Sequence, residues 1–341
     1  MHSNRSAGRA VGRLGAAVAA CVALLSAVGC STDAGTGVRT AGTPDAEASA
    51  AAAAAAAAKA GGGHKDGKGG ASGGRSAPSV PEPAVLARAQ VHISDGDTVG
   101  VGMPISVTFP RPVPTADRKA VESWLRVQTS SGTTGAWSWV RDRNLLDGQR
   151  VDFRPSGTYW KPGTKVTLRR GSHGVSRFTI GRSLIATVDT KTDMMTVDTG
   201  GRTSRVPITA GKPGLDTWKG TMVVMDKQPK VFMDSRTVGM GPNDTYHGYY
   251  YWALHLTTSG TYVHQNPHAD TAAGHSNVTH GCVGLATTTA KGFYGQVMVG
   301  DVIKVTGSDK DTVAAGNGYG DWNLTWQQWL DHSAAGATTT A

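Results

Sequence analysis

One cysteine and a group of histidines towards the C-terminal end of the chain have the residue types needed for nucleophilic catalysis. Cys282 follows Thr279-His280-Gly281, and four histidines lie within 18 residues upstream of it: His264, His268, His275 and His280. A free thiol with a pKa of about 8.5 is only a few per cent thiolate at neutral pH, so a histidine would raise that fraction by forming a thiolate–imidazolium pair. We expect one of the four to be the base. The sequence alone does not rank them, although a strand end at His264 would be a rigid platform.

Two other roles for Cys282 are open from the residues alone. A zinc site is disfavoured because Pro267 breaks a helix between His264 and His268, and the remaining histidines lack the paired spacing of structural zinc ligands. A buried packing role is disfavoured by the polar residues directly before the cysteine. We therefore expect no metal and no other cofactor.

The whole chain of 341 residues holds three cysteines, Cys21, Cys30 and Cys282. So few cysteines exclude a disulfide framework and a cysteine-rich zinc module. A secreted, unpaired thiol is a liability unless it has a use, and this favours a catalytic role for Cys282.

Residues 1–30 predict a secretory signal, because a basic start is followed by an apolar run that ends in small residues. The small residue before Cys30 resembles a lipobox, in which the thiol takes up a diacylglycerol and anchors the chain in the membrane. A plain signal peptide with a chance cysteine is the alternative. No other run is long enough to predict a membrane-spanning helix. We expect a secreted protein that is lipid-anchored to the outer face of the cell membrane.

Residues 31–82 are rich in Ala, Gly, Ser, Thr and Pro and predict a disordered linker. The chain carries a net charge of +9, from 34 basic and 25 acidic residues, which suits an anionic partner surface. Nucleic acid is not expected as a partner, because no recognition motif is present and the chain is exported.

Residues 83–182 predict an all-β sandwich of about 100 residues. Short apolar or aromatic runs at 105–109, 136–140 and 177–180 are separated by prolines and glycines. One short helix is expected between two strands, at 117–125. No catalytic combination of residues is evident in this segment.

Residues 183–307 predict a second domain of mixed β structure, which opens with a hairpin pattern. A helix is expected at 287–297, with one of its first threonines as the N-cap. If the segment 280–282 is extended, His280 points to the opposite side from the thiol of Cys282.

Residues 308–341 form an extension that contains Trp322, Trp326 and Trp329 at spacings of four and three residues. This spacing predicts one helix whose apolar stripe packs back on the enzyme, and a sugar-binding stripe is the alternative. The final Thr-rich residues are expected to be disordered.

The histidine and cysteine pattern resembles the signature of the L,D-transpeptidase (YkuD-type) family. That signature is a histidine, a gap of about fifteen residues and then Ser/Thr-His-Gly-Cys, and it is matched by His264 and Thr279-His280-Gly281-Cys282. The pattern is long and, with a strand on the histidine side, highly specific.

The resemblance extends over about 250 of the 341 residues. Residues 233–235 and Tyr246 match the lid of the family, and residues 320–326 match its C-terminal segment. Residues 135–139 and 159–165 resemble the immunoglobulin-like domain that precedes the catalytic domain in members from high-GC Gram-positive bacteria. The implied fold is mainly β, with an immunoglobulin-like β-sandwich followed by an L,D-transpeptidase catalytic domain of mixed β structure and short helices.

The resemblance implies a peptidoglycan cross-linking enzyme. Cys282 would attack the third residue of a tetrapeptide stem, expel D-Ala and pass the acyl group to an amine of another stem, giving a 3→3 cross-link. His264 would be the base, oriented by the backbone carbonyl of Gln265 or its neighbour. The backbone amides of Gly281 and Cys282 would stabilise the oxyanion, and His280 would hold the turn or contact the substrate.

The resemblance also implies substrate contacts from the lid and the turn, at Met233, Tyr246, Thr279 and Gly284. Gly284 stands where the family usually has Asn or Arg, and His268 stands where it has an aromatic residue. The tyrosine-rich lid is expected to be a mobile cover over the donor stem.

Two functions of different class remain open. The first is the cysteine transpeptidase, with an L,D-carboxypeptidase as its hydrolytic variant. The second is a wall-binding module with degenerate catalytic residues. The expected partners are peptidoglycan stem peptides, the anionic cell wall and the membrane, which the chain reaches through its lipid anchor.

Overall fold

A computed structural model of the chain describes residues 79–242 and 244–340. The predicted signal peptide, the predicted lipid attachment at Cys30 and residues 31–78 of the predicted linker lie outside the described residues. Everything that is described belongs to one compact unit. Within it, no helix has the length and apolar character needed to cross a membrane.

The first part of the described chain is a sandwich of two sheets. Its strands are β1 (Gln90–Val91), β2 (Thr98–Val99), β3 (Ile105–Thr108), β4 (Leu125–Thr129), β5 (Thr134–Trp139), β6 (Arg150–Pro155), β7 (Lys165–Arg170) and β8 (Val175–Ile180). One sheet contains the order β1-β3-β6-β5 and the other the order β2-β8-β7-β4. The helix α1 (Thr115–Trp124) lies before β4, two residues earlier than the sequence predicts for its start. Aromatic residues fill the core, where Trp137 and Phe153 meet edge to face at 5.4 Å.

The second part holds two further sheets. Its elements are β9 (Ile185–Asp189), β10 (Met194–Asp198), β11 (Thr203–Pro207), β12 (Gly220–Val223), β13 (Asp226–Asp234), β14 (His247–His255), β15 (Tyr262–Gln265), α2 (Ala269–Ala272), β16 (Val283–Leu285), α3 (Thr287–Gln296) and β17 (Val302–Thr306). The sheet orders are β11-β10-β9-β17-β12 and β13-β14-β15-β16. The prediction of a mainly β fold is confirmed. The helix α3 is preceded by Ala286 and has no side-chain N-cap, so the predicted threonine cap is wrong.

The pairing of β15 with β16 positions the predicted base and nucleophile. The two strands are parallel, and His264 lies opposite Gly284 in the register. Cys282 directly precedes β16 and is therefore level with Tyr262. Because parallel neighbours lie about 4.8 Å apart, this pairing brings residues distant in sequence to one sheet edge.

The hairpin of β13 and β14 is bent near its base. Trp252 has a φ of 54°, a left-handed conformation that is unusual for a bulky residue. It lies opposite Pro229, which has no N–H to donate, between the pairs Gln228–Ala253 and Lys230–Tyr251. Beyond this point the hairpin contacts β15, where the ring of Tyr250 meets that of His264 at 4.8 Å.

The sandwich and the second domain are in direct backbone contact. The amide of Gly100 donates to the carbonyl of Val299 at 2.7 Å, and that of Gly102 donates to Gly300 at 2.9 Å. A Cβ atom on Gly100 would lie 2.3 Å from the backbone nitrogen of Asp301. Only glycine permits this close approach.

The C-terminal extension packs on the sandwich. Trp329, in α4 (Trp326–Asp331), is fully buried against Ala136 and Val140 and donates its Nε1–H to the carbonyl of Ala136 at 3.0 Å. A short strand, β18 (Thr338–Thr339), then pairs with β5, so the predicted disorder of this end is wrong up to residue 340. The three tryptophans do not share one helix, because Trp322 lies in a separate 3₁₀ turn.

Candidate active site

A cleft of about 260 Å³ lies between the bent hairpin and the end of β15. It brings together seven of the residues that the sequence singled out: Met233, Tyr246, His264, His268, Thr279, His280 and Cys282. The sequence did not assign a role in the site to the other lining residues, which are Thr245, Tyr250, Asn266, Pro267 and Val278. The only feature of the sequence that could have indicated them is their position, since each lies within five residues of a predicted site residue.

His264 has its tautomer set by a backbone oxygen. Its Nδ1–H donates to the carbonyl of Gln265 at 2.6 Å. Because a carbonyl oxygen can only accept, Nδ1 carries the proton and Nε2 is left with a free lone pair. The side chain is buried, and burial lowers the pKa of His264 to about 4, so the ring is neutral at physiological pH.

The thiol of Cys282 is also neutral in the resting site. Burial raises the pKa of Cys282 to about 11, and a hydrogen bond from the amide of Tyr262 opposes this shift only in part. The sulfur lies 3.7 Å from the carbonyl oxygen of Gly260. Both pKa shifts favour a thiol beside a neutral imidazole in the resting site over the thiolate–imidazolium pair expected from the sequence.

The segment before Cys282 is a turn rather than an extended strand. Gly281 has a φ of 116°, which side chains rarely adopt. The hydroxyl of Thr279 donates to the carbonyl of Cys282 at 2.6 Å and accepts from the amide of Gly281 at 3.2 Å. As a result, His280 and Cys282 line the same cleft, contrary to the expectation for an extended segment.

The Thr279 contact also changes the expected oxyanion site. The amide of Gly281 is engaged with Thr279, so it does not offer a free donor in the resting structure. The amide of Cys282 is the remaining one of the two predicted donors. Thr279 lines the cleft, and its hydroxyl serves to hold the turn.

His280 connects the turn to the hairpin. Its ring lies 5.2 Å from the ring of Tyr246, and its Nε2 lies 3.9 Å from a carboxylate oxygen of Asp244. Burial and the nearby ammonium of Lys212 lower the pKa of His280, and Asp244 opposes them.

Two tyrosines of the hairpin cover the thiol and the base. The ring of Tyr250 meets that of His264 edge to face at 4.8 Å, and Tyr246 contacts Tyr250 in the same way at 6.3 Å. Burial raises the pKa of both Tyr246 and Tyr250, so both hydroxyls remain protonated and can donate hydrogen bonds. Met233 contributes a buried apolar wall.

Gly284 does not line the cleft, and its predicted contact with the substrate stays a prediction. It is buried in β16, where a Cβ atom would lie 2.8 Å from Cγ2 of Thr209 and 2.9 Å from Cβ of Asn266. Asn266 fills the adjoining space and does line the cleft.

A second cleft of about 180 Å³ opens on the other side of Tyr246 and His280. Gly260 and Gly281 line it; Gly281 directly precedes Cys282 in the chain, and the carbonyl oxygen of Gly260 lies 3.7 Å from the sulfur of Cys282. Two basic side chains line it, Arg143 from the sandwich and Lys310 from the C-terminal extension. The catalytic turn is therefore approached from two directions.

The described parts of the chain contain no group of three or more His, Cys, Asp or Glu side chains placed to hold a metal ion. Nδ1 of His264 is engaged with a carbonyl, which leaves this ring one nitrogen for chemistry. A neutral imidazole and a thiol in one cleft, with the amide of Cys282 as an oxyanion donor, are suited to acyl transfer.

Comparison with known proteins places both domains. A family profile described as L,D-transpeptidase catalytic domain matches residues 183–305, and one described as bacterial Ig domain matches residues 17–176. L,D-transpeptidase 2 of Mycobacterium tuberculosis (strain CDC 1551 / Oshkosh) is 33% identical over 77% of this chain and 66% of its own length. L,D-transpeptidase 1 of the same species (strain ATCC 25618 / H37Rv) is 37% identical over 67% of this chain and 88% of its own length.

A solved structure agrees with these relatives. An L,D-transpeptidase in complex with imipenem superposes with a TM-score of 0.58 at 35% identity. The match covers 64% of this chain and 97% of that chain.

Proposed function

The chain belongs to the L,D-transpeptidase family, and we propose that it cross-links peptidoglycan stem peptides through an acyl-enzyme on Cys282. The observation that carries the proposal is the placing of Cys282 and His264 in one cleft, with Nε2 of His264 free to accept a proton. The chain spans about two thirds of the length of L,D-transpeptidase 2.

The first half-reaction consumes a donor tetrapeptide stem. The sulfur of Cys282 attacks the carbonyl carbon of the third residue while Nε2 of His264 takes the thiol proton. The tetrahedral intermediate collapses, the bond to the terminal D-Ala breaks, and the same proton passes to the leaving amine. The amide of Cys282 stabilises the oxyanion, and the thioester remains.

The second half-reaction forms the cross-link. A side-chain amine on the third residue of another stem attacks the thioester, and His264 accepts the proton that this amine loses. The new amide joins the third residues of two stems, which is a 3→3 cross-link. The proton returns to the sulfur as the thiol leaves, so Cys282 is regenerated.

The second cleft favours an amine over water as the acceptor. Two clefts that meet at the catalytic turn allow a donor in one and an acceptor stem in the other. The alternative is an L,D-carboxypeptidase, in which water attacks the thioester and a tripeptide stem is released.

Two measurements test this proposal. The intact mass of the full-length protein after incubation with imipenem is expected to show one adduct per chain, which Cys282→Ala loses. A synthetic tetrapeptide stem is then expected to release D-Ala and give a dimer linked through third residues. An unmodified wild-type mass would exclude the cysteine acyl-enzyme, and tripeptide as the sole product would select the carboxypeptidase.

Export and lipid attachment at Cys30 would place this activity in the cell-wall space, and the net charge of +9 suits the anionic wall. Cell fractionation tests the anchor. The wild-type protein is expected in the membrane fraction, and Cys30→Ser is expected in the medium or wall fraction. An unchanged membrane location of Cys30→Ser would exclude the lipid anchor.

A further inference from the structure

The tip of the hairpin is a small closed loop. The lid tip comprises residues 235–242 and 244–246 of the described chain. The amide of Ser235 donates to the carbonyl of Tyr246 at 2.9 Å, and the amide of Tyr246 donates back to the hydroxyl of Ser235 at 3.1 Å. These bonds close the tip as one body, so a contact made by one of its residues positions Tyr246 as well.

Lys212 lies on a segment that is hydrogen-bonded to the catalytic turn, residues 279–282. Its amide donates to the carbonyl of Thr279 at 2.9 Å, and the amide of Thr279 donates to Ala210 at the same distance. The backbone around Lys212 is therefore fixed against the segment that carries His280 and Cys282.

One carboxylate of the lid tip connects the lid tip to Lys212 and to the catalytic turn. An oxygen of Asp244 lies 2.8 Å from Nζ of Lys212, and the same oxygen lies 3.9 Å from Nε2 of His280. Two residues further along, the ring of Tyr246 lies against the ring of His280. The Lys212 hydrogen bond holds the pKa of Asp244 below its usual value, so this group is an anion at neutral pH.

The pairing of the hairpin is interrupted at its base. Trp252 holds its left-handed backbone opposite Pro229, and its ring packs 5.7 Å from Tyr294 of α3. Sparsely populated conformations of this kind persist only when the surroundings impose them, and they cluster in switch regions and ligand clamps. The contacts of Asp244, Tyr246 and Tyr250 hold the outer half of the hairpin against the site.

We propose that Asp244 is a positioning residue that fastens the lid tip to the catalytic turn, through Lys212 and His280, and so holds Tyr246 over the bound donor stem. The inference rests on the proposed function and adds to it the residue that sets the closed lid. Asp244 does not touch the reacting atoms, and its effect on the reaction passes through Tyr246 and His280.

The test uses the full-length protein with Asp244→Asn, Lys212→Gln and the double variant. Arg236→Gln is the matched control, because Arg236 pairs with Asp234 within the hairpin and makes no contact with the turn. We expect kcat/KM for a tetrapeptide stem to fall about fivefold in each single variant, mainly through a higher KM, because an exposed ion pair has an effect of this size. The double variant is expected to be no worse than either single one.

A merely structural role would give a different result. We expect the melting temperature and the one-to-one imipenem adduct to be unchanged, while amides of the lid tip exchange with deuterium faster in Asp244→Asn. Unchanged kinetics in Asp244→Asn, strictly additive losses in the double variant or an equal loss in Arg236→Gln would overturn the proposal.

The two proposals fail in distinguishable ways. A wild-type protein without an adduct or turnover contradicts the proposed function. Deuterium exchange of the lid-tip amides then still tests whether Asp244 fastens the lid tip to the catalytic turn. If the wild-type protein turns over normally and the lid-tip amides of Asp244→Asn exchange at the wild-type rate, only the proposed role of Asp244 is contradicted.

Discussion

The imidazole of His264 and the main-chain oxygen of Gln265 are joined by a hydrogen bond of 2.6 Å that fixes which nitrogen of the ring is the base. The partner is neutral, so no carboxylate favours the imidazolium. Burial therefore dominates, and it lowers the pKa of His264 to about 4. We therefore expect His264 to take the thiol proton during the attack of the sulfur, and not to form an imidazolium–thiolate pair beforehand.

The first prediction concerns the pH dependence of acylation. With the pKa of His264 at about 4 and that of Cys282 at about 11, the base is free and the thiol protonated over the whole range between them. We expect the rate of imipenem acylation to be level from about pH 6 to 9 and to fall as the pH drops through about 4 to 5. His264→Gln is expected to lose about 10²–10⁴-fold of this rate at pH 7.

The low-pH limb needs a control for folding. The folded-state pKa of His264 lies below its usual 6.5, so the unfolded chain binds more protons between the two values. Stability therefore falls as the pH drops through that window, and circular dichroism must show a folded protein at each pH. A rate that peaks near pH 6 and declines towards pH 9 would instead indicate a thiolate–imidazolium pair.

The second prediction concerns the crowded position of Gly284. Gly284→Ala is expected to lower the free energy of unfolding by about 1–3 kcal/mol, because its Cβ atom would clash with Thr209 and Asn266. Adding Thr209→Ser removes the clashing methyl group. It keeps the hydroxyl that donates to Ser276 and accepts from Val278.

Denaturant unfolding of both single variants and the double variant measures this effect. We expect the double variant to recover part of the loss. Full stability of Gly284→Ala, or no recovery in the double variant, would show that the space around β16 is not as tight as these distances indicate.

The third prediction concerns the joint between the two domains. Gly100→Ala is expected to reduce the free energy of unfolding by about 1–3 kcal/mol, because the new Cβ atom would meet the backbone of Asp301. Gly201→Ala is the matched control, since a Cβ atom there meets nothing within 4 Å. Its effect is expected to stay within about 0.5 kcal/mol.

Urea unfolding followed by tryptophan fluorescence checks both variants. A loss confined to Gly100→Ala is expected. Equal stability of the two variants would mean that the sandwich can move away from the second domain at little cost.

Local sequence patterns predict some parts of this fold better than others. Strands such as β5, β8 and β15 follow from short alternating or aromatic runs, since side-chain alternation is a local property. The helix α1 was expected from its local pattern and begins within two residues of the predicted position. The predicted packing of the C-terminal tryptophans back on the rest of the protein is confirmed by the contacts of Trp322 and Trp329 with the sandwich. The single helix is wrong, because Trp322 lies in a separate 3₁₀ turn.

The sequence by itself determined which residue types are available and their order along the chain: a cysteine outside the predicted signal and lipid-attachment segment, a histidine on a predicted strand and a glycine that permits a turn before Cys282. Only the tertiary structure decided their state. The neutral pair, the engaged amide of Gly281 and the bridge at Asp244 depend on burial and on contacts between segments far apart in sequence. Such contacts arise from packing, and no local pattern encodes them.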